Sequence, residues 1–157
     1  MRLAGLTVAL VLALSGPAAA LDRYVPMQVP PGPGPAKYDR VFVQQLGPAG
    51  ARTVLVLVPG TDGGAGGITP VARDIVTRVP HLQVWIVDRR EQAFEDTSVF
   101  RTGDPQAAQD YYLGFNYKRV PGDQAKYAAE WGLKLQLTDL RSVVRRARRG
   151  VSSSPPM

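Results

Sequence analysis

The residues best suited to chemistry form one run, Pro59-Gly60-Thr61-Asp62-Gly63-Gly64-Ala65-Gly66-Gly67. Five of the eight positions from Gly60 to Gly67 are glycine. Backbone without side chains over it lets a ligand come close, and its N–H groups can gather around negative charge. The same bareness serves a tight strand-to-helix connection, so the run has two readings. Nucleotide chemistry fits poorly. A P-loop needs lysine and then Ser or Thr after its last glycine, and no Lys-Ser or Lys-Thr pair follows Gly67. In the dinucleotide fingerprint Gly64 and Gly66 fill the first two glycine positions, but Thr69 holds the third. Asp88 does stand where a ribose-binding acid would.

Little else in the chain is reactive. With no cysteine, disulfides, thiolate metal sites and a cysteine nucleophile are all removed. The single histidine, His81, precedes a strand and is expected at the surface, away from the glycine run. Asp88 with Arg89 or Arg90 reads as a structural ion pair at a strand exit. Glu91, Glu95 and Asp96 are clustered acids without a histidine or a D-x-D spacing, so no metal and no cofactor is expected. Tyr111, Tyr112, Phe115, Tyr117 and Trp131 can line an apolar pocket or simply pack together.

These residues need elements to position them. Thr53 to Val58 is a continuous β-branched and leucine run, the pattern of a strand buried on both faces in a parallel sheet. Pro59-Gly60 ends it. Thr69 suits a helix N-cap and Pro70 a first helical position, which predicts a helix from Pro70 to about Val79. Val71, Ile75, Val76 and Val79 form its apolar side. Leu82 to Val87 reads as a second buried strand. Strand, helix and strand at this spacing imply a parallel pair, with the glycine run at the carboxyl end of the sheet where open α/β proteins bind ligands. Ahead of this unit, residues 21–37 form a Pro-rich extended leader in which Tyr24 to Val29 can pair as an edge strand, and Tyr38 to Leu46 is a better strand. Beyond it, residues 91–126 read as a cap-like insertion holding a short helix at Asp104 to Tyr112. A helix over Leu137 to Arg148 places Leu137, Leu140, Val144 and Ala147 together, and residues 150–157 read as a disordered tail.

The first twenty residues have the form of a signal peptide: Arg2, an apolar stretch from Leu3 to Leu14, then Gly16-Pro17 and Ala18-Ala19-Ala20. Cleavage near Ala20 would deliver a bacterial protein to the cell envelope or the medium. About 137 of the 157 residues remain, enough for one domain. The formal charge is +6 and becomes +5 without Arg2, much of the excess coming from Arg141, Arg145, Arg146, Arg148 and Arg149. A basic cluster can bind nucleic acid or anionic lipid. It also suits the last turns of a helix, and export argues against a nucleic-acid partner.

Taken in order, several stretches resemble one family. Pro59-Gly60-Thr61-Asp62-Gly63-Gly64 after a buried strand resembles the oxyanion-hole loop of α/β-hydrolases. Gln83 to Arg90 resembles that family's next strand and the Asp/Arg-bearing loop after it. Glu95-Asp96 and Asp110-Tyr111-Tyr112-Leu113-Gly114 look like the insertion of exported actinobacterial members. Trp131-Gly132 and Asp139 to Val144 resemble the helix before the nucleophile strand. The likeness covers about residues 38–149. It implies a partial α/β-hydrolase-like domain of the lipase or esterase group, with a mostly parallel sheet and flanking helices. By the same resemblance Gly60, Thr61 and Asp62 are the oxyanion-hole candidates, the Thr61 N–H foremost, and Gly63 and Gly64 belong to the substrate loop.

The departures from that family are large. Its nucleophile sits in G-x-S-x-G on a strand that should begin just after Gly150, and no G-x-S-x-G occurs in this sequence. His81 stands in the wrong place for a base, so no Ser-His-Asp triad can form within these residues and none is assigned a catalytic role. The sequence therefore reads as a hydrolase truncated before its nucleophile strand and inactive alone. Two alternatives stand beside it. One is an exported non-catalytic module that binds a small acyl or ester ligand. The other is a subunit completed in trans by a second chain, since a half-sheet would leave its Thr53–Val58 strand open to a complementary chain or to self-association.

Overall fold

The computed structural model describes residues 20–152 other than Asp62. The predicted signal peptide lies outside the described residues except for Ala20, as do residues 153–157. Four strands form one mixed sheet: β1 (Ala20–Gln28), β2 (Arg40–Pro48), β3 (Thr53–Leu57) and β4 (Leu82–Asp88), in the order β1-β2-β4-β3. Three helices accompany it, α1 (Ala65–Arg78), α2 (Pro105–Tyr112) and α3 (Leu133–Ser152). The chain is thus α/β.

The sheet differs from the mostly parallel one expected. Only β3 and β4 run parallel, from Thr53 opposite Leu82 to Leu57 opposite Ile86. β1 pairs antiparallel with β2, and β2 antiparallel with β4. A parallel neighbour needs a long crossover, usually a helix, and the sequence supplies one such crossover, α1. The link from β1 to β2 is short and carries only a 3-10 turn at Ala36–Tyr38. The leader is accordingly structured: Ala20–Gln28 is a full edge strand.

The two faces of the sheet make two cores. Toward α3 lie Val29, Val41, Val43, Trp85, Val87, Val143 and Ala147. Toward α1 lie Leu46, Ala65, Ala72, Leu82, Val84 and Ile86. β4 alternates between them, so all seven of its residues are buried. Full burial of side chains such as Ile86 contributes about 1.5–3 kcal/mol each. β3 is not buried on both faces as its composition suggests. Its outer side pairs with no described strand, and Leu55 and the following Val58 are exposed. An apolar run reports what a strand prefers, not whether a neighbour covers it.

Both long helices differ from their predicted registers. α1 starts at Ala65, with Gly64 as N-cap and Pro70 inside the helix. Pro70 has no N–H to give to Gly66 O, and Thr69 Oγ1 donates to Ala65 O at 2.8 Å. Ala72, Ile68, Ile75 and Val76 face the sheet, whereas Val71 and Val79 are exposed. α3 begins at Leu133, ahead of the predicted Leu137, and runs past Gly150 to Ser152. Val143, Ala147 and Leu140 pack inward, while Leu137 is 53% exposed. α2 agrees with its sequence signal, Asp104 accepting from the N–H groups of Gln106 and Ala107. Between β4 and α3 the chain is otherwise 3-10 turns and irregular backbone, and residues 91–126 bury no side chain fully. Among the described residues no helix is long and apolar enough to cross a membrane.

Candidate functional site

Because β3 and β4 are parallel, the glycine run leaves the same end of the sheet as Asp88, Arg89 and Arg90. Gly60 and Thr61 are exposed, Gly63 and Gly64 half-buried, and Asp62 lies outside the described residues. Gly63 N donates to Gly60 O at 3.1 Å, closing a turn. The described glycines with positive φ are Gly34, Gly47 and Gly103, none of them in this run. A Cβ added at Gly60, Gly66 or Gly67 would meet nothing within 4 Å. Neither backbone geometry nor crowding demands glycine at those three positions. Gly64 is closer pressed, since its Cβ would come 3.3 Å from Gln92 Nε2 and 3.5 Å from Asp88 Oδ1.

The acids and arginines at the strand exit do not pair as expected. Asp88 forms no ion pair with Arg89 or Arg90. Its Oδ1 accepts the Ala65 N–H at 2.5 Å, and its Oδ2 accepts the Tyr24 hydroxyl at 2.8 Å. Burial, then this hydrogen bond, raises the Tyr24 pKa far above the ordinary phenol value. The carboxylate therefore caps α1 from another element, where Gly64 has no side chain to do so. Arg89 reaches the loop instead, its Nη2 donating to Gly60 O at 3.3 Å and to Thr61 O. A cation thus holds the carbonyls of the loop.

Arg90 is 2% exposed and serves structure. It grips Asp139 of α3 with two bonds, Nε to Oδ2 at 2.7 Å and Nη2 to Oδ1 at 2.9 Å. Its Nη1 donates to Asp39 Oδ1 at 2.7 Å and to Tyr38 O, and its Nη2 to Pro30 O at 2.6 Å. The Asp139 carboxylate first, then that of Asp39, holds the guanidinium pKa above its usual value against the opposing effect of burial. Nothing in the local sequence joins Arg90 to partners so far away in the chain.

Beside this exit lies a cavity of about 200 Å³ lined by Val41, Val58, Val87, Trp131 and Leu140, with Arg89 and Glu91 among its polar groups. Of the aromatic residues expected to line one pocket or simply pack together, Tyr112 and Tyr117 line a cavity of about 490 Å³ with Phe94, and by ring contact the five separate into three groups. Trp131 stacks on Phe94 at 5.4 Å and packs with Tyr38 and Tyr127, its Nε1 donating to Pro33 O. Tyr112 stacks on Phe100 and meets Tyr111 edge-on, while Phe115 lies with Tyr117. Tyr111 and Tyr112 both donate to Asp96, the first to its carboxylate at 2.6 Å and the second to its carbonyl.

His81 is exposed at the opposite end of β4, at φ 59°, its carbonyl accepting from Arg52 N and Thr53 N. Among the described residues no group of three or more His, Asp or Glu could hold a metal ion. What the site offers is a glycine-surfaced loop in which the N–H groups of Gly63, Ala65 and Gly67 bond within the protein, a structural carboxylate behind it and an apolar cavity beside it. Comparison with family models, with curated proteins and with solved structures returned no match.

Proposed function

We propose that these residues form the oxyanion-loop half of an exported α/β-hydrolase of the carboxylic-ester kind, without hydrolytic activity of its own. The observation that carries the reading is the open surface at Gly60, Gly66 and Gly67, where no turn or neighbour requires glycine. Bare backbone that serves no fold requirement is what an approaching oxyanion needs. Asp88 and Arg89 support the reading by fixing the loop from behind, through Ala65 N and through the carbonyls of Gly60 and Thr61. No histidine stands near the loop among the described residues, His81 being at the far end of β4, and the nearby Asp88 carboxylate is engaged by Ala65 N and the Tyr24 hydroxyl.

Butylphosphonate, a tetrahedral anion with an alkyl tail, tests this by amide NMR titration. Saturable shifts at Gly60, Thr61, Gly63 and Gly64 are expected, and shifts confined to other residues would refute the assignment. Hydrolysis of p-nitrophenyl butyrate should stay at the buffer rate, so saturable turnover by the purified chain would refute the inactivity.

A second reading rests on β3. This strand is an edge, and Thr53 to Val58 contains neither charge nor proline, whereas the β1 edge carries Asp22, Arg23 and Pro26. Edges are commonly blunted by such residues. A complementary chain bearing serine, acid and histidine could add there and complete the site in trans. Esterase activity that appears only on mixing the two chains is the expected result, and its absence from every stoichiometric complex would dismiss this reading.

A further inference from the structure

The other long surface of α3 carries a feature that the ester-hydrolase reading does not use. An open groove of about 990 Å³ runs between β1 and the C-terminal half of α3, lined by Arg23 on one side and Arg145, Arg146 and Arg149 on the other. Val25, Met27 and Trp85 give its floor apolar surface beside the polar Gln45 and Ser142, and no Asp or Glu is among its lining residues. Arg145 and Arg146 stand four and three residues before Arg149, so the three share one helix face. Arg23 is fixed from below, its Nε donating at 2.8 Å to Oε1 of Gln45, which is 4% exposed. Among the described residues no carboxylate forms an ion pair with Arg145, Arg146 or Arg149.

Four guanidinium groups drawn from two elements thus line one groove with no ion-paired carboxylate among the described residues. Their position in the last turns of α3 makes the charge tolerable, since a helix C-terminus favours cations. It does not explain why Arg23 faces them from β1. A bound anion would relieve the repulsion, and guanidinium is suited to phosphate through paired N–H bonds.

We propose that this groove docks on an anionic phospholipid surface, the four arginines taking headgroup phosphates. A lipid surface fits better than a free phosphate because the groove is wide and Val25, Met27 and Trp85 put apolar surface beneath the arginines. Such a surface suits the glycerol and first methylenes beneath a headgroup, and has nothing to offer a small hydrophilic anion. Each arginine near an anionic bilayer contributes about 1 kcal/mol, so two of them account for about 30-fold in binding.

Flotation with vesicles tests the assignment. The chain should float with phosphatidylcholine vesicles that contain phosphatidylglycerol, stay behind with pure phosphatidylcholine, and be released by salt. Arg145→Gln with Arg149→Gln should weaken binding by about 30-fold. Arg78→Gln with Arg101→Gln removes the same charge elsewhere and should leave binding within a few-fold of the parent. Both pairs are exposed, and thermal melts of each variant confirm that folding is retained. Equal loss in both pairs would reduce the effect to net charge and overturn the groove. Release by low-millimolar inorganic phosphate at constant ionic strength would assign the site to free phosphate. Tighter capture of duplex DNA than of vesicles would assign it to nucleic acid, and absence of vesicle binding would end the proposal.

Discussion

The carboxylate of Asp88 accepts the backbone N–H of Ala65 at 2.5 Å, joining the end of β4 to the first turn of α1 across the glycine loop. α1 has no side-chain cap of its own, and its first residues include Gly66 and Gly67, which favour a helix less than any residue but proline. One carboxylate from the neighbouring strand decides where the helix begins and fixes the near edge of the loop.

Asp88→Ala is therefore expected to fray the start of α1. A hydrogen bond to a charged group contributes about 1.5–3 kcal/mol, and a loss of about 2 kcal/mol in unfolding free energy is expected. Amide exchange should accelerate at Ala65, Gly66 and Gly67 more than in the second half of α1. Tyr24→Phe removes the other bond to Asp88 and should cost about 1 kcal/mol while leaving those amides protected.

Arg90 and Asp139 form the second junction, linking β4 to α3 with both groups nearly excluded from water. Asp139→Ala leaves Arg90 buried with Asp39 as its remaining counter-charge. It should thus destabilise the fold in denaturant melts by less than the roughly 3–5 kcal/mol of a buried charge left wholly unpaired. Arg90→Met with Asp139→Leu, which removes both charges, should cost markedly less, although Asp39 would then lose its partner as well. Equal losses in the single and double variants would show that packing, not charge, governs the site.

These junctions mark the boundary of what the sequence discloses. Val84 to Val87 and the β3–β4 parallel pair follow from apolar runs flanking one helical crossover, and the α2 cap follows from Asp104 beside Pro105. Those signals are local. The place of β3 at the edge depends on which strand lies next to it, and Thr53 to Leu57 has the same composition in either setting. Thr69-Pro70 is a good local cap and points to a helix start at Pro70, yet Asp88, 23 residues from Ala65, supplies a better one. Arg90 looked like a partner for Asp88 next door, while Asp139, 49 residues on, takes it in the fold. The glycine loop was found by composition, and what its glycines spare became visible only against their surroundings.

Gly47 and Gly50 flank one turn and should respond in opposite ways to alanine. Gly47 has φ 106°, and a Cβ there would stand 2.6 Å from Leu82 O, where β2 passes the start of β4. Gly47→Ala should cost about 1–3 kcal/mol through backbone strain. Gly50 has open space and no positive φ, so Gly50→Ala should be neutral or raise stability by up to about 1 kcal/mol through the unfolded chain. Denaturant melts of the two variants side by side provide the check.

Asp96 gives the fold a pH dependence with a definite sign. The Tyr111 hydroxyl first, then the Ser98 hydrogen bonds, pull its pKa down to about 2. An unfolded aspartate titrates near 3.9, so the folded state binds the proton less well. The stabilisation is complete above about pH 4 and is lost as pH falls toward about 2. The affected structure is the hinge between the turn at Ser98–Thr102 and α2, where Tyr111 and Tyr112 converge on this one residue. Carboxyl-carbon NMR should therefore find Asp96 protonating well below the ordinary carboxylate range, with Tyr111 and Tyr112 ring signals moving in the same step. Tyr111→Phe removes the leading cause and should return Asp96 toward the ordinary value, shifting the loosening of α2 to higher pH. A titration unchanged by that substitution would place the cause at Ser98 instead.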